Sequence, residues 1–143
     1  MGTAGYAETY AASVNDPEAF WLKAADLVDW DVRPRKALDD SGAPLFRWFP
    51  DGALNTSYNA LDRHVLAGRG SETALVYDSA MLGSQRTYTF AELLSEVENF
   101  AGVLHGQGIG AGDRVVIYLP MIPEAVITML ACARLGAVHS VVF

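Results

Sequence analysis

The sequence predicts an α/β fold in which an N-terminal arm precedes the first part of a doubly wound, mostly parallel sheet. The first observation is the order of segments in residues 114–143: an apolar β-branched run, a stretch of helical length and a second apolar run. The second is that neither run alternates, which is typical of a parallel pair covered on both faces and joined by a right-handed crossover. Such a pair with one helix leaves a sheet face and an edge uncovered, so we expect an incomplete sheet that continues after Phe143.

Composition places the chain among globular proteins and argues against nucleic acid as a partner. Its 143 residues are 51% hydrophobic and 19% charged, and 17 acidic against 10 basic residues give a net charge of -7. That charge repels phosphate backbones. Arg33, Arg35 and Lys36 form a compact basic group, but Pro34 interrupts it and acidic residues follow. It is therefore interpreted as a solvated loop.

Targeting features predict a cytoplasmic protein without a membrane segment. The first residues lack a basic segment followed by an apolar core, and the longest uncharged apolar stretch, residues 125–133, is too short to cross a bilayer. Cys132 is the only cysteine, so no intrachain disulfide can form and a reducing compartment is indicated. Its apolar neighbours favour a small buried side chain over a catalytic thiol.

The first helix of the arm is expected to begin at Asp16. The residues before it are small and polar without a period, which predicts a loosely held segment. Asp16 can cap free amides, Pro17 suits the first helical position and Glu18 follows in the first turn. One face of this helix would carry Phe20, Ala24, Leu27 and Val28.

Residues 30–57 contain three prolines and two glycines, which exclude long regular structure and predict an arm lying over a larger surface. The aromatic content of the first fifty residues is high, with Trp21, Trp30, Trp48 and Phe49. Such rings can stack on bases or sugars. In acidic surroundings, anchoring of the arm by the rings is the favoured interpretation.

A short helix is predicted after Ser57, which can cap it, and before Gly68, which can supply a left-handed stop. Its apolar face would hold Tyr58, Leu61, Val65 and Leu66. Asp62 and His64 suggest acid–base work, but residues two apart point to different sides of a helix. Surface pairing and capping of the incoming arm are therefore the favoured roles.

Residues 73–78 and 86–89 are predicted to form an antiparallel hairpin around a turn at Gly83. Thr89 and Glu92 then form a capping box, with Tyr88 and Leu93 placed as a hydrophobic staple. The helix that follows has the clearest apolar period in the chain: Phe90, Leu93, Leu94, Val97, Phe100, Ala101 and Leu104.

The glycine-rich segment 105–112 resembles a phosphate loop in composition only. A nucleotide loop follows a strand and opens a helix, whereas these glycines close a helix and lead into the strand at Val115. A helix stop and a turn are therefore predicted. His64, His105, His139 and Cys132 have no metal-ligand spacing, so the residues themselves identify no catalytic, cofactor-binding or metal-binding side chain.

Several stretches read together resemble the N-terminal part of the short-chain acyl-CoA synthetases, the acetyl- and propionyl-CoA synthetase branch of the AMP-forming adenylating enzymes. They are Phe20-Trp21 with Leu27 and Trp30, Trp48-Phe49 with Gly52, residues 54–55, 58–59 and 61–64, residues 87–93, 112–115, 118–124 and 131–143. Residues 74–79 and 86–89 look more like propionyl- than acetyl-CoA synthetases, without deciding between propionate and acetate. The resemblance implies that residues 1–57 form the N-terminal cap of that branch and that residues 58–143 form the truncated start of the AMP-binding domain.

The resemblance implies an enzyme that activates a short-chain carboxylate with ATP and Mg²⁺ to an acyl-adenylate and transfers the acyl group to coenzyme A. Adenylation supplies a good leaving group, and the protein mainly positions anions and neutralises their charge. The phosphate loop, acyl pocket, adenylation lysine and coenzyme A arginines of the family lie beyond the point matched by Phe143. The piece alone is therefore expected to be inactive, with no site residue carried onto it and the rest of the sheet as its structural partner.

Two other classes of function remain open at this stage. A stand-alone interaction module derived from such an enzyme would pair its exposed sheet edge with a partner. A nicotinamide-dependent oxidoreductase would explain the α/β pattern and the glycines, but the glycines lie at the wrong end of a helix for it.

Overall fold

The computed structural model describes residues 5–142, which divide into two compact units, one ending at Leu54 and the other beginning at Asn55. Phe143, predicted as the last strand residue, lies outside the described residues. None of the helices in the described range is long and apolar enough to span a bilayer.

The N-terminal unit opens with helix α1, Tyr6–Asn15, where the sequence predicted a loosely held segment. The segment is helical because alanine and glutamate favour a helix even without an apolar period, and no glycine or proline interrupts them. Tyr6 and Tyr10, four residues apart, stack with ring centroids 6.1 Å apart. No side chain of α1 is buried, so the helix has no core face.

Helix α2, Pro17–Ala24, begins as predicted, with the Asp16 carboxylate accepting a hydrogen bond from the Ala19 amide at 3.1 Å. It ends earlier than predicted, in a 3₁₀ turn over Ala25–Leu27. The Trp30 indole N–H donates to the Ala25 carbonyl at 2.8 Å and stabilises this turn. Leu27 is consequently 60% exposed instead of lying on a continuous apolar face.

The rest of this unit is irregular, as the prolines predicted. Strands β1, Leu38–Asp39, and β2, Arg47–Trp48, pair antiparallel over two residues each. An isolated bridge joins Val32 to Ala53. Phe49 has a left-handed φ of 47°, which is unusual for a bulky side chain, and its N–H donates to the Ala37 carbonyl at 2.7 Å.

The second unit starts with two π-helical segments, Tyr58–Asp62 and Val65–Arg69, with Gly68 left-handed as predicted. The predicted cap is wrong. Asn55, not Ser57, accepts the Tyr58 amide at 3.0 Å, because Ser57 already has helical backbone angles. The predicted apolar face is only partly formed, since Leu61 is buried whereas Leu66 is 76% exposed.

The predicted hairpin and the helix after it are confirmed. Strands β3, Thr73–Ser79, and β4, Ser84–Thr89, pair antiparallel, with Gly83 left-handed in the turn. Helix α3, Phe90–Gly106, starts at the capping box: the Glu92 amide donates to Thr89 Oγ1 at 3.2 Å and the Thr89 amide donates to Glu92 Oε2 at 2.8 Å.

Strand β5, Arg114–Tyr118, helix α4, Pro123–Leu135, and strand β6, Val138–Val142, complete the described chain. The strands are parallel, with Val116 opposite Ser140, so the predicted α/β class and pairing are confirmed. The predicted glycine turn between α3 and β5 is also confirmed, with Gly108 and Gly112 left-handed. The core lies between the helices and the hairpin and contains Leu61, Tyr88, Leu93, Val97, Ala101, Ile127 and Ala131.

Candidate functional site

The carboxyl edge of the β5–β6 pair is the first candidate site, because ligands of open α/β sheets bind beyond the carboxyl ends of the strands. Strand β5 ends at Tyr118, and residues 119–122 lead into α4. Residues 118–124 contain no basic side chain, so they offer no cation to a phosphate. Glu124 lies exposed in the first turn of α4 and would repel one. This edge does not fit a nucleotide phosphate by itself.

One face of the β5–β6 pair is open. Val116 is 70% exposed, Tyr118 77% and Val138 59%, while Ile117 on the opposite face is 2% exposed. Parallel strands are normally covered on both faces, so apolar residues in these positions indicate a surface that another element covers. The sequence predicted one uncovered face, and this prediction is confirmed.

Arg134 forms the best-defined polar network of this unit. Its guanidinium donates to both carboxylate oxygens of Asp62, at 3.0 and 2.9 Å, and to Glu98 at 2.9 Å. The Asp62 carboxylate is the main cause of a raised pKa at Arg134, which therefore stays charged. Asn55 Nδ2 donates to the Arg134 carbonyl at 3.1 Å and so binds the end of α4 as well. These contacts fix three helical segments against one another and leave no group free for chemistry.

Asp62 and His64, considered above as an acid–base pair, have different partners. Asp62 binds Arg134, whereas the His64 ring contacts Arg69 through Nδ1 and lies 4.8 Å from the Phe90 ring. The sequence favoured pairing along the surface of one helix. The ion pair of Asp62 instead joins two different elements, because its partner Arg134 lies in α4. The side chains of Asp62 and His64 thus both take part in structural contacts.

Cys132 is fully buried in α4, which confirms the prediction of a small buried side chain. Burial raises the pKa of its thiol, so the reactive thiolate is disfavoured. Within residues 5–142, no group of histidine, cysteine, aspartate or glutamate side chains could hold a metal ion.

The basic group of the N-terminal unit is an exposed loop, as predicted. Each cation has its own carboxylate: Arg33 pairs with Asp26 at 2.5 Å, Arg35 with Asp51 at 3.1 Å and Lys36 with Asp39 at 2.8 Å. These three basic side chains therefore form local ion pairs and do not form a surface for nucleic acid.

The aromatic side chains of this unit pack on one another. The ring centroids of Trp21 and Trp48 are 5.4 Å apart, as are those of Trp30 and Phe49. Edge-to-face contacts of this kind are favourable beyond the area they bury. Gly52 is required here because a Cβ would lie 2.7 Å from the Trp30 ring.

An open cleft of about 240 Å³ lies beside β4 and the start of α3. The Arg86 guanidinium lies 4.3 Å from the Tyr88 ring centroid. Glu92, also in the lining, is held by the capping box, which lowers the pKa of its carboxyl. Arg86 and Glu92, two of the charged residues in the lining, thus already have structural partners.

Two models of known protein families match consecutive parts of the chain. Residues 6–60 match the model of the acetyl-coenzyme A synthetase N-terminus, and residues 61–143 match the model of the AMP-binding enzymes. The chain belongs to the AMP-binding enzyme family. The match covers both parts in the predicted order, so the resemblance to short-chain acyl-CoA synthetases is confirmed.

Similar members of the AMP-binding enzyme family come from distant organisms. The chain is 50% identical, over 96% of its length, to human acyl-CoA synthetase short-chain family member 3, mitochondrial. It is 51% identical, also over 96%, to acetyl-coenzyme A synthetase of Mycobacterium tuberculosis. These matches cover 20% and 21% of the relatives, so the chain spans about a fifth of their length. Membership of the AMP-binding enzyme family does not support the alternative of a nicotinamide-dependent oxidoreductase.

The fold of this AMP-binding family member is found in a solved structure as well. Acetoacetyl-CoA synthetase from Streptomyces lividans superposes with a TM-score of 0.83 at 33% identity, covering 99% of this chain and 22% of that one. The residues that sequence reasoning missed are Arg134 with its partners Asp62 and Glu98. The sequence near Arg134 shows only a cation in the last turn of a predicted helix, and this pattern does not indicate which carboxylates the cation will bind.

Proposed function

We propose that this chain is the N-terminal part of an AMP-forming acyl-CoA synthetase that acts on a short-chain carboxylate, propionate or acetate. The observation that carries the proposal is the consecutive match of residues 6–60 and 61–143 to the two family models. In the proposed reaction the carboxylate attacks the α-phosphate of ATP to give acyl-adenylate and pyrophosphate. The thiol of coenzyme A then displaces AMP and forms the thioester.

The carboxyl edge lacks a basic residue at 118–124, and the described residues provide no metal-ligand group. We therefore propose that this chain contributes scaffold: a cap over residues 1–57 and the start of the adenylating domain at residues 58–143. The remaining sheet would be its structural partner. The first compact unit ends at Leu54, close to the proposed division at residue 57, which supports a domain boundary in this region.

The test compares the 143-residue chain with the full-length reading frame. We expect the longer enzyme to release pyrophosphate with propionate and with acetate, and to form the thioester when coenzyme A is added. The 143-residue chain should catalyse no carboxylate-dependent exchange between ATP and pyrophosphate. Exchange by the short chain would contradict the scaffold role, and its absence from the long enzyme would contradict the proposed function.

Propionate is the proposed preferred substrate, on the likeness of residues 74–79 and 86–89 to propionyl-CoA synthetases. The comparison of kcat/KM for propionate, acetate and acetoacetate in the full-length enzyme tests this. A higher value for acetate would reject the preference without affecting the reaction class.

A cytoplasmic location is proposed on the buried, unpaired Cys132. The human relative is named mitochondrial, so cell fractionation with markers for both compartments is the decisive measurement.

A second candidate, a non-catalytic interaction module, is favoured by the open face of the β5–β6 pair. It requires a partner at that face. A monomeric 143-residue chain whose β5 and β6 amides are protected from hydrogen exchange without a partner would contradict it.

A further inference from the structure

The N-terminal unit contains a small cleft between α2 and the β1–β2 pair that the proposed reaction does not use. Its volume is about 190 Å³, and its lining includes Trp21, Trp48, Leu38, Glu18 and Asp40. Sites for drug-sized ligands occupy about 300–1,000 Å³, so this cleft is suited to a single side chain.

Two indole rings form a corner of the cleft. Trp21 and Trp48 meet at 72°, and they remain 38% and 52% exposed. The left-handed backbone at Phe49 bends the chain directly after Trp48, while the Phe49 ring packs against Trp30. A bulky residue in this conformation is strained, and such strain is concentrated at ligand-binding sites.

The rim of the cleft is acidic. Glu18 is oriented by a hydrogen bond from the Ala37 amide to its Oε1 at 2.8 Å. Two cations lie nearby: the Lys36 ammonium donates to Asp39 at 2.8 Å, and Arg47 lies opposite Asp39 in the β1–β2 pair. The three carboxylates of Glu18, Asp39 and Asp40 all act on the Lys36 ammonium. With Arg47 counted, the group has a formal net charge of about -1.

We propose that this cleft binds the guanidinium group of an arginine side chain presented by a partner protein. The faces of indole rings attract cations, and a planar guanidinium can stack on a ring while its N–H groups donate to carboxylates. A phosphate or carboxylate ligand would be repelled by Glu18 and Asp40. A quaternary ammonium has no N–H group and could not donate to either carboxylate.

The experiment titrates the 143-residue chain with N-acetyl-arginine amide and follows the indole N–H resonances by ¹H–¹⁵N NMR. The neutral analogue N-acetyl-citrulline amide has nearly the same shape and is the matched ligand control. Trp30 is an internal reference, because its indole N–H is already bonded to Ala25. We expect saturable shifts at Trp21 and Trp48 with arginine, and binding at least about tenfold weaker with citrulline, the effect of one charge-assisted hydrogen bond.

Variants separate charge from shape. Asp40→Asn should weaken arginine binding about tenfold, whereas Asp31→Asn, an exposed change elsewhere in the unit, should leave it unchanged. Trp48→Leu should also weaken it while an otherwise unchanged spectrum shows that the unit is folded. Equal binding of citrulline, tighter binding of tetramethylammonium, full binding by Asp40→Asn, or no shift at either indole would each overturn the proposal.

Discussion

At the scale of single residues, the partners of Arg134 differ in burial. The Asp62 side chain is 16% exposed and the Glu98 side chain 51%. Exposed ion pairs contribute little because water and salt screen them, whereas a half-buried charge is expensive to leave without its partner. The two carboxylates therefore contribute unequally although their distances to Arg134 are nearly the same.

Neutralising the two carboxylates one at a time tests this difference. Asp62→Asn should lower the free energy of unfolding by about 1–3 kcal/mol, because Arg134 loses a bidentate, half-buried partner. Glu98→Gln should lower it by no more than about 0.5 kcal/mol. Urea unfolding at pH 7 measures both, and equal effects would show that burial does not govern this network.

Asp39 provides a pH-dependent prediction. The Lys36 ammonium, followed by hydrogen bonds from Ser41, lowers the pKa of its carboxyl from 3.8 to about 2. Since the folded value is the lower one, this carboxylate stabilises the fold above pH 3.8, and that contribution is lost as the pH falls through about 2. Carboxyl ¹³C NMR should show the low midpoint, and Lys36→Met should raise it. A wild-type midpoint near 3.8 would contradict the contact.

Sequence reasoning found contacts between residues near in sequence and missed those between distant ones. Thr89 and Glu92 are three residues apart, and their reciprocal bonds follow from a local pattern. Arg134 and Asp62 are 72 residues apart, so the packing of whole helices decides their meeting. Ser57 and Asn55 are both good caps, and the backbone angles that select Asn55 are not visible in the residue types.

At the scale of elements, helix ends depend on backbone freedom and on side chains that arrive from elsewhere. The apolar period predicted α3 well, but it could not predict the early end of α2, where Trp30 binds the Ala25 carbonyl. It also missed α1, which has no buried side chain. Helix α4 ends at Gly136, whose φ of 71° lies in the left-handed region.

Two glycine substitutions should have opposite effects. Gly136→Ala is expected to destabilise by about 1–2 kcal/mol because of its left-handed backbone, and its Cβ would lie 3.3 Å from the Cβ of Ala111. Gly102→Ala, inside α3 with no heavy atom within 4 Å of the new Cβ, should stabilise by about 0.5–1 kcal/mol. Thermal unfolding followed by circular dichroism distinguishes them, and a loss of stability in both would contradict the assignment.

At the scale of the whole molecule, the order of segments in residues 114–143 predicted the parallel pair and its uncovered face. The sequence did not predict the short strand pair or the aromatic contacts of the N-terminal unit, which take the place of periodic elements there. Between residues 30 and 54 no period exists for a pattern to detect. At the carboxyl edge of the sheet, the sequence already shows that residues 118–124 offer no cation to a phosphate.

The uncovered face predicts an asymmetric response to charge. Val116→Lys should change the unfolding midpoint little, since this residue is 70% exposed, and should reduce binding of an apolar dye such as ANS. Ile117→Lys, one residue along the strand at 2% exposure, should prevent folding of the unit. Dye fluorescence and circular dichroism measure both effects. If both variants fold equally well, the two faces of the β5–β6 pair do not differ in burial as described.

The bond between Asp62 and Arg134 has a consequence during protein synthesis. A ribosome adding about 5–20 residues each second needs roughly 4–14 s to pass from one residue to the other, since 72 positions separate them. Throughout that interval the guanidinium of Arg134 is missing, and the end of α4 that Asn55 holds does not yet exist. The nascent chain can form α3 and the hairpin early from local contacts, but the helical segment at Asp62 becomes fixed only after α4 has left the exit tunnel.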